Sequence, residues 1–362
     1  MVELAGTRPG GSRIKRTDLA TKVLEEGFTA QEQGNLDRAL SAYRQVMGLD
    51  KDNVGAMTAA ALIHTDKGEY DAAEWLLRRS IEVAPTCVAY NSLGMLMMER
   101  RQWDAAINCY RSSIALDPSN ATSWPNLLFC LDLHPWATPA LRLAERRRFN
   151  EVYCRPLTEA AEPHVNDPDP DRILRVGYVS ADFKQHSAAQ GFIPVIMCAR
   201  KDQVRTYLYN VDQSPPNPED NLPDWFKVLG DEWRDMVGVS DNVLADAVRA
   251  DAIDILVDLS GYSSGGRPLA FARKPAPVQI SGFGYATGLG IDAMDYMIGD
   301  AVITPVEHEH QYHERILRLP IFMGSEKAPP WPDIVAPPKE RNGYVTFGYM
   351  GRAVKISPQS LD

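Results

Sequence analysis

The chain has 362 residues, a formal net charge of -10 and 44% hydrophobic residues. That length allows two or three domains, and the acidic balance argues against a dedicated nucleic-acid binder, which would present a basic face. No apolar run approaches the roughly 20 residues of a membrane helix. Five widely spaced cysteines without a C-x-x-C pair describe buried thiols in a reducing compartment rather than a metal site.

Residues 1–17 carry charges but no apolar core, so they read as a flexible leader and not as a secretory signal; the cytoplasm is the expected compartment. A repeat follows, in "GNLDRALSAYRQVMGLDKDN" from Gly34, "GEYDAAEWLLRRSIEVAPT" from Gly68 and "RQWDAAINCYRSSIALDPSN" from Arg101. Gly34 to Gly68 is 34 residues and Gly68 to Arg101 is 33. Ala39, Ala73 and Ala106 fall in register, as do Tyr43, Leu77 and Tyr110. Small alanines let two helices approach, and larger apolar residues at helical spacing fill the groove between them. Pro85 and Pro118 end two of the units. One such unit cannot bury its apolar face alone, so stacked units form a solenoid. About three units are expected from Asp18 to Asp132, with "LAERRRFNEVYCRPL" as a capping helix, the whole spanning 18–155. The basic clusters Arg100-Arg101 and Arg146 to Arg148 read as solvated helix faces. The period and the Gly, Ala and Pro positions resemble the tetratricopeptide repeat, which implies binding of a protein or peptide.

Residues 156–172 are polar and proline-rich and read as a linker. The period then changes. Short apolar runs start at Ile173, Arg205, Ile253, Pro277, Met294 and Glu314, with an amphipathic helix from Asp241 capped by Ser240 or by Asp241 itself. Strands alternating with helices predict a mostly parallel sheet covered on both faces, a Rossmann-like lobe over 173–324. Ligands of such sheets bind beyond the carboxyl ends of the strands. Those ends carry "ADFKQHSAAQGF" with His186, "GYSSGGRP" with Tyr262 and Arg267, and "GYATGLG" with Tyr285 and Thr287. No G-x-G-x-x-G or phosphate-loop motif is present, which disfavours a nicotinamide enzyme and a P-loop ATPase. "GYSSG" matches G-x-S-x-G with Ser263 as nucleophile, but Gly266-Arg267-Pro268 follows where a hydrolase elbow turns into a helix. His308, His310 and His313 stand among carboxylates in a stretch read as a solvated loop rather than a metal site. Residues 325–342 read as a second linker. Tyr344 to Tyr349 read as a buried strand, followed by a glycine turn with Arg352, then Lys355 and a helix start.

"LRVGYVSADFKQHS", "DILVDLSGYSSGGR", "RKPAPVQISGFGY", "AMDYMIGD" and "GYVTFGYMGRAVKI" occur in that order after the repeats. Together they resemble the O-linked N-acetylglucosamine transferase family and its bacterial and plant relatives. The resemblance implies a metal-independent, inverting glycosyltransferase with two Rossmann-like lobes, the GT-B architecture. It implies transfer of a sugar, N-acetylglucosamine from UDP-GlcNAc above all, to Ser or Thr of a protein, with no cofactor, no nucleic acid and no membrane. A relative using fucose or glucose, and a non-catalytic repeat scaffold, are the alternatives. By the same resemblance, His186 lines the sugar and acceptor site and is a candidate base. Lys355 contacts the diphosphate, with Arg352 near phosphate or base, and Tyr262, Tyr285 and Thr287 are substrate-binding candidates. Asp246 and Asp251 were weighed for a proton path and left unassigned. Residues 343–362 would open a second lobe of which the chain holds only the start. The isolated chain is therefore expected to lack transfer activity, since half a cleft cannot orient a donor.

Overall fold

The computed structural model describes residues 10–119, 121–215, 217–321, 335–349 and 355–356. They divide between Cys130 and Leu131 into two compact units.

The first unit is built of antiparallel helix pairs: α1 (Gly10–Glu32) with α2 (Leu36–Leu49), α3 (Val54–Asp66) with α4 (Tyr70–Val83), and α5 (Cys87–Glu99) with α6 (Trp103–Leu116). A further helix, α7, runs Ser123–Leu133. Asn35, Asn53 and Thr86 cap α2, α3 and α5 by accepting backbone N–H groups of the first turn. Ala39, Ala73 and Ala106 are fully buried, and Tyr43, Leu77 and Tyr110 fill the space beside them. Residues 10–17 correct the expected leader, because α1 already starts at Gly10. Once a helix is nucleated, each added residue gains a hydrogen bond. The buried Ala20, Val23 and Ala30 anchor this one. Residues 1–9 lie outside the described residues.

The second unit opens with α8 (Pro139–Phe149), which runs through a π-helical turn (Asn150–Cys154) into α9 (Arg155–Glu159). The helix predicted to close the repeats is thus held on the α/β layer: Thr158 donates to the Ala272 carbonyl, and Arg155 pairs with Asp292. The segment expected as a free linker is helical to Glu159, and Asn166 and Arg172 bond its remainder to Asp254.

Seven parallel strands follow: β1 (Leu174–Ser180), β2 (Val204–Asn210), β3 (Glu232–Asp235), β4 (Ile255–Asp258), β5 (Val278–Ser281), β6 (Tyr296–Gly299) and β7 (Arg315–Arg318). Their order is β3-β2-β1-β4-β5-β6-β7. Six match predicted runs. β3 was missed because none of its four residues is buried and no alternation marks it. Between strands lie α10 (Ala189–Met197), α11 (Leu222–Leu229), α12 (Asp241–Ala250) and α13 (Pro268–Ala272). Ser240 stands at the N-cap of α12, as expected. One face of the sheet packs Val176, Tyr178, Leu208 and Val257 against Phe183, Phe192, Ile196 and Phe226.

α14 (Pro338–Asn342) occupies the end of the second predicted linker, whose residues 325–334 lie outside the described residues. The predicted strand from Tyr344 to Tyr349 is corrected. It has no regular structure, and Phe347 is 94% exposed and Tyr344 65%. A strand needs a neighbour for its N–H and C=O groups, and none of the described strands pairs with it.

Candidate functional site

In this strand order the chain moves outward from β1 to β3, then crosses back to β4 on the other side of β1. The loops after β1 and β4 therefore leave the same sheet edge in opposite directions, the place where open α/β sheets bind ligands. Here they touch. The Ala181 N–H donates to Ser260 Oγ at 3.3 Å, and a Cβ at Gly265 would stand 2.3 Å from that of Ala181. Asp258 ends β4 fully inside, accepting the Ser260 and Gly261 N–H groups at 3.0–3.1 Å. Burial pushes its carboxyl up to about 6 against the pull of those N–H groups, with Glu314 adding a like charge.

The loop after β1 is anchored by Phe183, whose ring meets Phe226 at 5.0 Å, Phe192 at 5.7 Å and Trp233 at 5.8 Å. Lys184 Nζ reaches Asp212 at 2.7 Å and Ser214 at 3.0 Å, and the Gln185 N–H donates to Asp220 at 2.6 Å. The loop after β2 thus straps this one at two points. His186 follows with its side chain 47% exposed and its Nδ1 3.4 Å from Asp182 Oδ1. Asp182 is largely buried, which raises its carboxyl, while His186 and Lys184 hold it down. Sequence reasoning missed Asp182, although the i,i+4 spacing in "ADFKQHS" could have marked it.

Tyr262, Tyr285 and Thr287 are brought together, and their hydroxyls are engaged inside the protein. Tyr262 donates to the Leu289 carbonyl at 2.5 Å, and Tyr285 donates to Asp132. Thr287 Oγ1 lies 3.1 Å from Asp132 Oδ2 and accepts from Arg146 at 3.0 Å. Arg146 also grips both Asp132 oxygens at 2.6 and 2.8 Å, bonds the Gly288 carbonyl at 3.1 Å and lies over the Tyr262 ring. Burial opposes the Arg146 charge, but Asp132, Tyr285 and Tyr262 outweigh it and hold the guanidinium protonated. This corrects one expectation: Arg146, read as part of a solvated basic face, is 4% exposed. Asn150 accepts from the Asp292 N–H at 2.9 Å, and buried Glu314 accepts from Leu289 and Gly290 at 2.6 and 2.8 Å. The irregular segment between β5 and β6 is therefore fixed from both sides.

The remaining candidates fall elsewhere. Asp251 takes the Tyr209 hydroxyl at 2.7 Å and two Arg234 nitrogens at 2.8 and 3.0 Å, near the amino end of β4, and Asp246 is exposed on α12. Ser263 Oγ donates to the Ser260 carbonyl at 2.5 Å, and α13 does not begin until Pro268. Arg267 bonds Asp241 at 2.6 Å and the Val239 carbonyl at 2.8 Å. His308 and His310 are exposed in a short 3-10 turn, and His313 faces Asp292 at 3.2 Å. Among the described residues no group of His, Cys, Asp or Glu is placed to hold a metal ion. No described helix is long and apolar enough to cross a membrane. Lys355 is exposed, and Arg352 lies outside the described residues.

Residues 158–328 match the profile of Glycosyl transferase family 41, and residues 30–94 and 89–122 match Tetratricopeptide repeat profiles. The solved structure of a mutant O-GlcNAc transferase from Thermobaculum terrenum is 31% identical, with a TM-score of 0.76 over 85% of this chain and 59% of that one. The chain belongs to the O-GlcNAc transferase family. Among curated members of the family, a probable UDP-N-acetylglucosamine--peptide N-acetylglucosaminyltransferase SPINDLY of Arabidopsis thaliana is 30% identical over 54% of this chain. Its counterpart in Oryza sativa is 27% identical over 70% of the chain. The chain spans 22% and 28% of the lengths of these two relatives.

Proposed function

We propose that the protein is an inverting, metal-independent O-glycosyltransferase of GT-B architecture, which moves N-acetylglucosamine from UDP-GlcNAc to a Ser or Thr hydroxyl of a protein held by the repeats. The observation that carries the reading is the place of His186. It stands half-exposed past the carboxyl end of β1, at the crossover point of the sheet, in a loop strapped by Lys184 and Gln185. The likeness to the Thermobaculum enzyme over 85% of this chain supports it.

In the proposed chemistry His186 takes the proton of the acceptor hydroxyl as its oxygen attacks the anomeric carbon from the face opposite the diphosphate. The carbon–oxygen bond to the diphosphate breaks, and the leaving group keeps the electron pair. Lys355 neutralises that charge, a role its flexible ammonium suits, and Arg352 would add a second cation. Tyr262, Tyr285 and Thr287 act one step away: their hydroxyls are engaged within the protein, so they shape the loop that faces the substrate rather than bond it.

The test is transfer of radiolabelled sugar to a protein acceptor, with UDP-GlcNAc, UDP-glucose and GDP-fucose as donors. The protein as its cell makes it is expected to use UDP-GlcNAc, and His186→Ala to lose at least about a hundredfold in kcat. Residues 1–362 alone are expected to bind acceptor without turnover. Transfer that survives loss of the imidazole overturns the role of His186, preference for another donor overturns the sugar, and robust turnover by residues 1–362 overturns the last expectation.

A further inference from the structure

His186 Nδ1 has two neighbours of opposite kind. Asp182 Oδ1, an acceptor, lies 3.4 Å away. The Ala188 N–H, a donor, lies 3.3 Å away. A neutral imidazole carries one proton, so Nδ1 can serve only one of them. If Nδ1 holds the proton it points at Asp182, and Nε2 is bare and able to accept. If Nε2 holds the proton, Nδ1 accepts from Ala188, and the ring offers an acidic edge to the cleft instead.

We propose that Asp182 sets the tautomer of His186, keeping the proton on Nδ1 so that Nε2 is free to accept one. The catalytic meaning of this rests on the function proposed above; the tautomer itself does not. Asp182 is suited to the task. Its side chain is 14% exposed and stands one helical turn before His186. Phe183, buried in the aromatic cluster, fixes the backbone between them. The charged groups near Asp182 are His186, Lys184 and Asp212. Lys184 is itself tied to Asp212 and Ser214, so the loop cannot simply swing the carboxylate away. The Ala188 N–H at the start of α10 supplies the opposing pull. With the carboxylate ionised, the charge-assisted bond prevails over a neutral backbone donor. With it removed, only the backbone donor remains. Asp182 is a positioning residue here, since it acts through the ring and not on the substrate.

Nitrogen chemical shifts of the imidazole distinguish a bare from a protonated ring nitrogen, so nitrogen-15 histidine spectra of the full chain read the tautomer directly. Seven histidines must be told apart, and His186→Gln identifies the signal. At a pH where the ring is neutral, the wild type is expected to show a bare Nε2 and a protonated Nδ1. Asp182→Ala is expected to reverse the two. Asp182→Asn keeps the shape of the carboxylate and, by turning its amide donor to Nδ1, is expected to shift the ring the same way. A wild type already protonated on Nε2, or an Asp182→Ala protein that keeps Nδ1 protonated, overturns the proposal. The wild-type spectrum alone suffices if the variants do not fold. In the transfer assay Asp182→Ala is expected to lose at least about tenfold in kcat, with KM little changed. The expected tautomers without any transfer would overturn the function and leave the role of Asp182 standing.

Discussion

In the repeats, helices meet through residues that place almost nothing between them. Ala39, Ala73 and Ala106 are fully buried, and a Cβ on Gly27 or Gly94 would stand 2.6 Å from the ring of Tyr43 or Tyr110. In the α/β unit, α8 meets the β5–β6 segment through a charge. Arg146, 4% exposed, is bonded to Asp132, Thr287 and the Gly288 carbonyl. The first kind of contact is a matter of volume and repeats along the chain. The second is a matter of pairing and occurs once. A volume mismatch can be relieved by small shifts of its neighbours, whereas a buried charge that loses its partner has no equivalent relief.

The largest effect should therefore come from breaking the pair. Asp132→Ala leaves the Arg146 guanidinium inside without its carboxylate and is expected to destabilise the α/β unit by about 3–5 kcal/mol, read from urea unfolding. Arg146→Met, which removes the charge and keeps much of the volume, is expected to be milder than Asp132→Ala. Equal losses from the two would show that packing, not charge, holds α8 to the loop.

The same contrast explains what the sequence made legible. The repeat is visible because volume follows the period: every 33 or 34 residues the chain asks for the same small residue beside the same large one. The sheet is visible because β1, β2, β4 and β5 are short apolar runs after a change of period. β3, with no buried residue, had no such signal. His186 was legible from its place after a strand and from its motif. Arg146 was not, because it sits in an arginine cluster and its partners Asp132 and Thr287 are 14 and 141 residues away. Pairing of that kind leaves no period. Tyr285 and Thr287 were marked as loop hydroxyls, but nothing local says whether a hydroxyl faces a cleft or an aspartate.

Next in size is a pH dependence confined to the α/β unit. The Asp258 carboxyl is raised from 3.8 to about 6 in the fold by burial and by Glu314. As the pH rises, the unfolded carboxyl ionises first while the folded one keeps its proton, so stability is full below about pH 4 and is lost as pH passes 6. A gap of about 2 units at about 1.4 kcal/mol each gives a loss of about 3 kcal/mol by pH 7. Asp258→Asn is expected to flatten this slope in urea unfolding between pH 4 and 7 without removing the acceptor for Ser260 and Gly261. An unchanged slope would place the titrating group elsewhere.

Volume in the repeats can be tested against itself. Gly94→Ala puts a methyl into the Tyr110 ring and is expected to cost about 1–3 kcal/mol. The middle unit shows the remedy: Ala61 stands 34 residues after Gly27 and 33 before Gly94, and Leu77 takes the tyrosine's place. Adding Tyr110→Leu to Gly94→Ala is expected to recover part of the loss, a coupling that a double-mutant cycle measures. Strict additivity would mean that the glycine and the ring are not a matched pair.

The smallest expected effect is a gain. The turns between paired helices use the same hydrogen bonds three times. Gly34, Gly68 and Arg101 donate at 2.9 Å to Gln31, Thr65 and Met98, and the residues after them donate at 2.8 Å to Ala30, His64 and Met97. That pattern requires a left-handed residue, with φ of 74°, 74° and 59°. Glycine adopts it without strain, while an L residue with a side chain gives up about 1–2 kcal/mol there. Arg101→Gly is therefore expected to stabilise the repeats by about 0.5–1 kcal/mol, after the entropy that glycine gains in the unfolded chain. Urea unfolding of the two proteins measures the difference. A loss of stability would mean that the Arg101 side chain holds the turn by more than its backbone costs, and the third repeat would then differ from the first two in kind.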